Sequence, residues 1–343
     1  MYNVPLSTQS LLAAYQTLLD NNQELCLDPA VLFPIIKMKQ NSRLTKGSNL
    51  IASALDGDEF KDYLHFVQQH RYLSFSHQLI VKSEPNHWRM LHIQNFKHKL
   101  KILIFETISN KYSHSIVEKI KSVVPDAAVY CYFANSQTID GIPKTSLQYD
   151  FNCAWFALEC CFRISNMPDI FKQLELRPKW YHLSRQFHYQ QLNHRAMNTL
   201  SVQQRPIWHN VTFLYPEFFG PEFSALFLSA QSKNAYNELS KKAHAFKVSE
   251  TRGLAFDDAL SRRHVEGQKL FAATYDPHHP LVDVSPIWPN NLACNQGAYF
   301  NHAIWYFRLK YLKEIIAWLN KKPDMEVSHL NQQRLNFAIL VKQ

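Results

Sequence analysis

Between residues 79 and 164 the chain alternates short apolar runs with helical stripes, and that order limits the folds open to it. Residues 79–81, 88–93 and 100–105 are apolar runs of strand length. The third is apolar on both faces near its end, which predicts a central place in a sheet. Asn95, Phe96, Lys97 and His98 separate the second and third runs and predict a hairpin turn. A helix is expected over 115–124, where Ser115 and Glu118 form a capping-box pattern and Pro125 lies just beyond the last turn. Residues 127–133 read as a fourth strand, 135–150 as a polar loop and 154–164 as an apolar helix. The order of strand, strand, strand, helix, strand, helix predicts an α+β fold: a small mixed sheet carrying a cysteine-bearing helix, with helical extensions at both ends.

The flanks are helical in pattern. Leu11, Leu12, Tyr15, Leu18 and Leu19 share one helical face after the capping candidates Ser7 and Thr8. Asp28 and Pro29 suit the start of a second helix. Asp58 and Glu59 open a third, with Phe60, Tyr63, Leu64 and Val67 as its stripe. Beyond about residue 170 the chain is aromatic-rich and mainly helical, ending in a stripe of Trp305, Leu309, Leu312, Ile316 and Leu319. Residues 215–223 read as an ordered loop, and Arg177 with Pro178 marks a boundary. Three segments are therefore expected: a helical N-terminal region at 1–75, a core at 76–180 and a mainly helical region at 181–343.

Composition removes several function classes. Only 7 glycines occur in 343 residues, which argues against glycine-rich phosphate loops, and no such motif is present. The net charge of +9 is dispersed, so it gives no reason to invoke nucleic acid. Its nearest approach to a patch is Lys97, Lys99 and Lys101 beside His98, expected on one strand face as solvated surface, with an anionic ligand or acidic partner as the other reading. Six cysteines at 26, 131, 153, 160, 161 and 294 include no CxxC pair, which disfavours both a disulfide framework and a zinc site and predicts reduced thiols. Asp276, Pro277, His278 and His279 read as a turn, so no metal is expected, and no cofactor. Residues 1–19 lack the layout of a signal peptide, and no run approaches about 18 apolar residues, so a soluble chain without a membrane span is expected.

The chemistry gathers at one place. Pairing the second and third strands around 95–98 brings His87 and Glu106 side by side at one end of the sheet. A carboxylate beside an imidazole fixes its tautomer and stabilises the imidazolium, which is what a catalytic base requires. Cys153 stands where the polar loop meets the apolar helix, and a thiol at a helix start is favoured as thiolate by unpaired amide donors. With an imidazole in reach it becomes a nucleophile. Gln148 offers an amide to an oxyanion, together with the backbone N–H of Cys153. Cys131, Cys160 and Cys161 read as core residues, and His92 as a packed strand histidine rather than the base.

His87-Trp88, then Ile104-Phe105-Glu106, then Gln148-Tyr149-Asp150-Phe151-Asn152-Cys153 together resemble the clan CE cysteine peptidases. That clan includes the Ulp/SENP proteases with their ubiquitin-like-protease core, the SseL/ElaD-like bacterial deubiquitinases and the YopJ-like effectors. The resemblance covers roughly residues 77–165. It implies His87 as base, Glu106 as acid, Gln148 as oxyanion donor, Cys153 as nucleophile and Trp88 as a substrate-binding aromatic. Ala154 stands where the family commonly has glycine, and Glu106 where Ulp proteases usually have aspartate. The first function implied is a cysteine protease removing ubiquitin or a ubiquitin-like protein from a conjugated target, as a bacterial effector delivered into host cytosol by a dedicated secretion system. The second is a YopJ-like acetyltransferase using the same triad with acetyl-CoA. Glutamate as the acid and the long interval from His87 to Glu106 favour that second branch. Lys241-Lys242 and Arg262-Arg263 are the candidate anion-binding pairs for it. A non-catalytic helical scaffold is the third reading.

Overall fold

A computed structural model describes residues 7–20, 27–44, 50–84, 87–106, 110–132, 138–139, 142–143, 153–167, 169–175, 210–214, 247–248, 254–255, 262–263, 265–266, 269–270, 303–322 and 327–335. Its centre is a six-stranded mixed sheet in the order β1-β2-β3-β4-β5-β8. The strands are β1 (Ala52–Asp56), β2 (Phe75–Glu84), β3 (His87–Phe96), β4 (Lys99–Phe105), β5 (Ala128–Tyr132) and β8 (Val211–Leu214). Two small ribbons, β6 (Thr138–Ile139) with β7 (Ile142–Pro143) and β9 (Lys247–Val248) with β10 (Leu254–Ala255), lie outside that sheet. Mixed sheet and helices together agree with the α+β class expected from sequence.

Strands β2, β3 and β4 run antiparallel to one another, while β1–β2, β4–β5 and β5–β8 are parallel. Parallel neighbours need a crossover. Helix α3 (Gly57–Gln69) makes the first and α4 (Asn110–Val123) the second. Both bury their stripes on one sheet face: Phe60, Tyr63, Leu64 and Val67 from α3 meet Ile116, Val117, Ile120 and Val124 over Leu79, Leu91, Ile102 and Ile104. Asp56 caps α3 by accepting from the backbone of Asp58 and Glu59, and Glu59 closes a capping box. At the second crossover the structure corrects the sequence reading. Helix α4 begins at Asn110, so Ser115 and Glu118 lie inside it rather than at its cap.

The opposite face is covered by α1 (Thr8–Asp20), α2 (Pro29–Leu44), α5 (Cys153–Ile164), α6 (Ile170–Glu175), α7 (Ala303–Asn320) and α8 (Val327–Leu335). Leu11, Tyr15 and Leu18 of α1 are buried as their spacing predicts, and the Tyr15 hydroxyl donates to the Val31 carbonyl of α2. In α7 Leu309, Leu312 and Leu319 are buried. Arg334 of α8 reaches the Ala54 carbonyl at 3.1 Å and pairs with Glu59, tying the C-terminal helix to β1 and the α3 cap.

Two strands of the six-stranded sheet come from segments expected to be helical. β1 lies within residues 1–75 and β8 beyond 181, so the sheet draws on all three expected segments. The hairpin turn is also tighter than expected. Phe96 pairs with Lys99, leaving only Lys97 and His98 in the turn, at φ 51° and 62°. Positive φ at both central residues is what a two-residue type I′ turn demands, although asparagine and glycine suit it better. Lys97 sits in the turn over the Phe96 ring, Lys99 is exposed, and Lys101 pairs with Glu175 at 2.5 Å.

Candidate active site

His87 opens β3 and Glu106 directly follows β4, both buried. The imidazole Nε2 lies 2.9 and 3.0 Å from the two carboxylate oxygens. Their proximity arises differently from the sequence expectation. With Met90 opposite Phe105, the next pair in register is Arg89 and Glu106, and His87 reaches Glu106 on the diagonal. The two-residue turn causes this shift. Glu106 is held in turn by β5, its backbone N–H donating to the Tyr132 carbonyl at 3.2 Å. An Nε2–H given to a carboxylate leaves Nδ1 as the basic nitrogen of a neutral imidazole.

Cys153 is the first residue of α5, and α5 packs on β3. The thiol belongs to the same buried cluster as Trp88, Met90, Phe105 and Tyr132. As the first residue of its helix, Cys153 has a backbone N–H without an intrahelical acceptor. Trp88 is buried in that cluster, with the Lys82 ammonium 5.8 Å from its ring centroid. Gln148 lies outside the described residues, as do residues 215–223, Lys241-Lys242 and 276–279.

Two other described thiols, Cys131 and Cys160, are fully desolvated. Burial pushes the Cys131 and Cys160 thiols up, which keeps them protonated. His92 is packed, as expected, stacking on Phe171 with ring centroids 5.3 Å apart.

Residues not singled out in the sequence also belong here. Arg89 is buried between Trp88 and Met90, with Nε 3.4 Å from Glu106 Oε2. The signal was the one formally charged residue, Arg89, in the strand sequence HWRMLHIQNF. At the far end of α5, Lys39, Arg163, Arg263 and Lys310 line a cleft of about 330 Å³ with Glu159 and the aromatic rings of Phe162, Tyr306, Phe307 and Tyr311. Glu159 Oε1 accepts from Arg163 Nε and from Arg263 Nη1, each at 3.0 Å. The cleft thus holds four cations against one carboxylate. Of the two basic pairs noted in sequence, Arg263 lines this cleft, whereas Arg262 is exposed and pairs with Glu266.

No protein-family model matches the sequence, and no curated protein matches it. Among solved structures, the chain is similar to HopZ1a in complex with IP6, with a TM-score of 0.53 and 10% identity over 91% of this chain and 92% of HopZ1a. It also aligns with AvrA delL154 with IP6 and CoA, at a TM-score of 0.49 and 10% identity, over 90% of this chain and 98% of AvrA. At 10% identity the likeness to HopZ1a is one of fold.

Proposed function

We propose that this chain is a YopJ-like acyltransferase, in which Cys153 is the nucleophile, His87 the base and Glu106 the acid that orients it. The observation that carries the reading is the buried His87–Glu106 pair, set on a hairpin against which the Cys153 helix packs. The likeness to HopZ1a supports the transferase branch over the deubiquitinase branch at the level of fold.

The chemistry runs in two balanced steps. Nδ1 of His87 takes the Cys153 proton, and the thiolate attacks the thioester carbonyl of acetyl-CoA. The carbon–sulfur bond to CoA breaks, and the imidazolium returns its proton to the departing CoA thiolate. A hydroxyl or amine of the target protein then attacks acetyl-Cys153, gives its proton to His87, and Cys153 leaves and regains it. In each step the developing oxyanion is placed to receive the Cys153 backbone N–H, with Gln148 as the second donor in this reading. As in the sequence reading, the setting is that of a bacterial effector acting on host proteins. No helix of the described residues is long and apolar enough to cross a membrane.

IP6, present with HopZ1a, fits the donor set of the cleft. Lys39, Arg163, Arg263 and Lys310 come from separate parts of the chain and would hold it through charge-assisted hydrogen bonds. When bound, IP6 would supply negative charge to a cleft of four cations and one carboxylate. Arg163 is ten residues along α5 from Cys153, roughly 15 Å at the rise of an α-helix, so one rigid helix joins the cleft to the nucleophile.

Intact-mass measurement after incubation with acetyl-CoA and IP6 tests the reading. Gain of one acetyl group, released by hydroxylamine and absent in Cys153→Ala, is the expected result. No acetylation, with a Cys153 adduct to ubiquitin carrying a C-terminal electrophile, would instead establish the deubiquitinase function.

A further inference from the structure

Arg89 is a charged side chain beside Glu106 to which the acyltransferase chemistry gives no part. It is buried, and Nε, Nη1 and Nη2 make no hydrogen bond among the described residues. A guanidinium is always charged, and burying one without hydrogen bonds is destabilising unless a counter-ion compensates. Its ion-pair partner is Glu106, at 3.4 Å, the same carboxylate that faces His87. Other titratable and charged residues stand on the elements packed around the pair. Lys121 of α4 donates to the carbonyls of Pro125 and Ala127, Cys131 of β5 stays protonated, and Tyr132 stacks on Phe105. On β2, Lys82 lies over Trp88, and Glu84 stands opposite His87 in register; α5 contributes Cys153.

We infer that Arg89 is a positioning residue that holds Glu106 ionised, and thereby keeps the basic nitrogen of His87 turned toward Cys153. The inference rests on the acyltransferase reading. Without a cation beside it, a fully desolvated carboxylate takes up a proton. The protonated acid then donates to Nε2 instead of accepting from it, and the imidazole proton moves to Nδ1. That is the wrong tautomer for a base serving Cys153. With Arg89 present, carboxylate and guanidinium cancel both before and after proton transfer from Cys153 to His87.

The experiment is the pH dependence of Cys153 alkylation by iodoacetamide, read by peptide mass spectrometry on the full chain. Wild type and Arg89→Lys, which retain the charge, are expected to share one apparent midpoint. Arg89→Met is expected to raise it by about one pH unit, slowing alkylation about tenfold below the midpoint. In a Glu106→Gln background, Arg89→Met is expected to shift nothing further. Thermal unfolding reports whether Arg89→Met folds, and Arg89→Gln replaces it if it does not. A folded charge-removing variant with the wild-type midpoint overturns the inference, as does an equal loss of rate in Arg89→Lys and Arg89→Met without any midpoint shift. If wild-type Cys153 itself titrates as an ordinary thiol and His87→Ala changes nothing, the nucleophile reading falls and the inference with it. That outcome is distinguishable because it is seen before Arg89 is touched.

Discussion

Glu106 has no exposed surface, and both its oxygens face His87 Nε2. Glu106→Gln preserves the shape but replaces one acceptor with an NH2 donor, which turns the imidazole to the unproductive tautomer. In the acyltransferase reading this variant should lose roughly 10²–10⁴ of its rate of acetyl-Cys153 formation while keeping its fold, by analogy with general-base and orienting-acid losses elsewhere. Rapid-quench measurement of the acetyl-enzyme checks it, and a loss below tenfold would remove Glu106 from the site. These side chains were visible in sequence because a hairpin confines them: residues flanking two paired strands must meet at one sheet end. Arg89 was not visible, because its role depends on register. A turn longer by two residues on the β3 side, with Gln94 opposite Lys99, would set His87 directly opposite Glu106 and give Arg89 no partner. The turn centred on Lys97 and His98 brings guanidinium and carboxylate across from each other.

At the scale of elements, periodicity marked the helices α1 and α3 and the strands β3 to β5, whose apolar residues repeat over enough positions to be read. It did not mark β1, where four of the five residues, ASALD, carry small or polar side chains beside Leu55, in a strand covered by β2 and the Arg334 clamp. β8 was invisible for another reason: its partner β5 lies about eighty residues earlier, and no local pattern encodes that pairing. The adjacent strands β2 and β3 also carry a buried titratable pair. His77 receives the Tyr63 hydroxyl at 2.7 Å, and Gln78 meets His92 Nδ1 at 3.2 Å. Burial, and then the charge of His92, lowers the His77 pKa to about 3; burial lowers that of His92 to about 4, with Asp169 opposing. Folded values below the unfolded value near 6.5 mean that stability is fully present above pH 6.5. It is lost as pH falls from there toward 4 for His92 and toward 3 for His77. Each histidine should contribute a slope approaching about 1.4 kcal/mol per pH unit within its window. Urea unfolding at stepped pH measures this, and His92→Gln should make the profile shallower. A stability that stays flat between pH 6.5 and 4.5 would contradict the buried, neutral assignment of both rings.

Over the whole molecule, α5 runs from Cys153 at its first residue to Glu159 and Arg163 in the cleft at its far end. The aromatic floor of that cleft comes from α5 and α7, its cations from α2, α5, α7 and Arg263, so the cleft exists only when segments far apart in sequence have packed. Lys39 lies 5.0 Å from the Tyr311 ring centroid and Lys310 5.7 Å from that of Tyr306, which holds the ammonium groups over apolar walls rather than splayed into solvent. A polyanion that binds such a site crosslinks helices from both ends of the chain. In the proposed reading, IP6 should therefore stabilise the native state by RT ln(1 + [L]/Kd), about 2.7 kcal/mol when ligand is at one hundred times Kd. The gain should shrink as salt shortens the screening length. Lys39→Glu and Lys310→Glu place carboxylates in the cleft without touching the His87–Glu106 pair. They should abolish the IP6-dependent rise in melting temperature while leaving the ligand-free melting temperature within a few degrees. A calorimetric scan of the two variants, with and without IP6, decides the matter. If both variants keep the full ligand-induced shift, IP6 binds elsewhere on the chain, and the link through α5 from cleft to nucleophile fails with it.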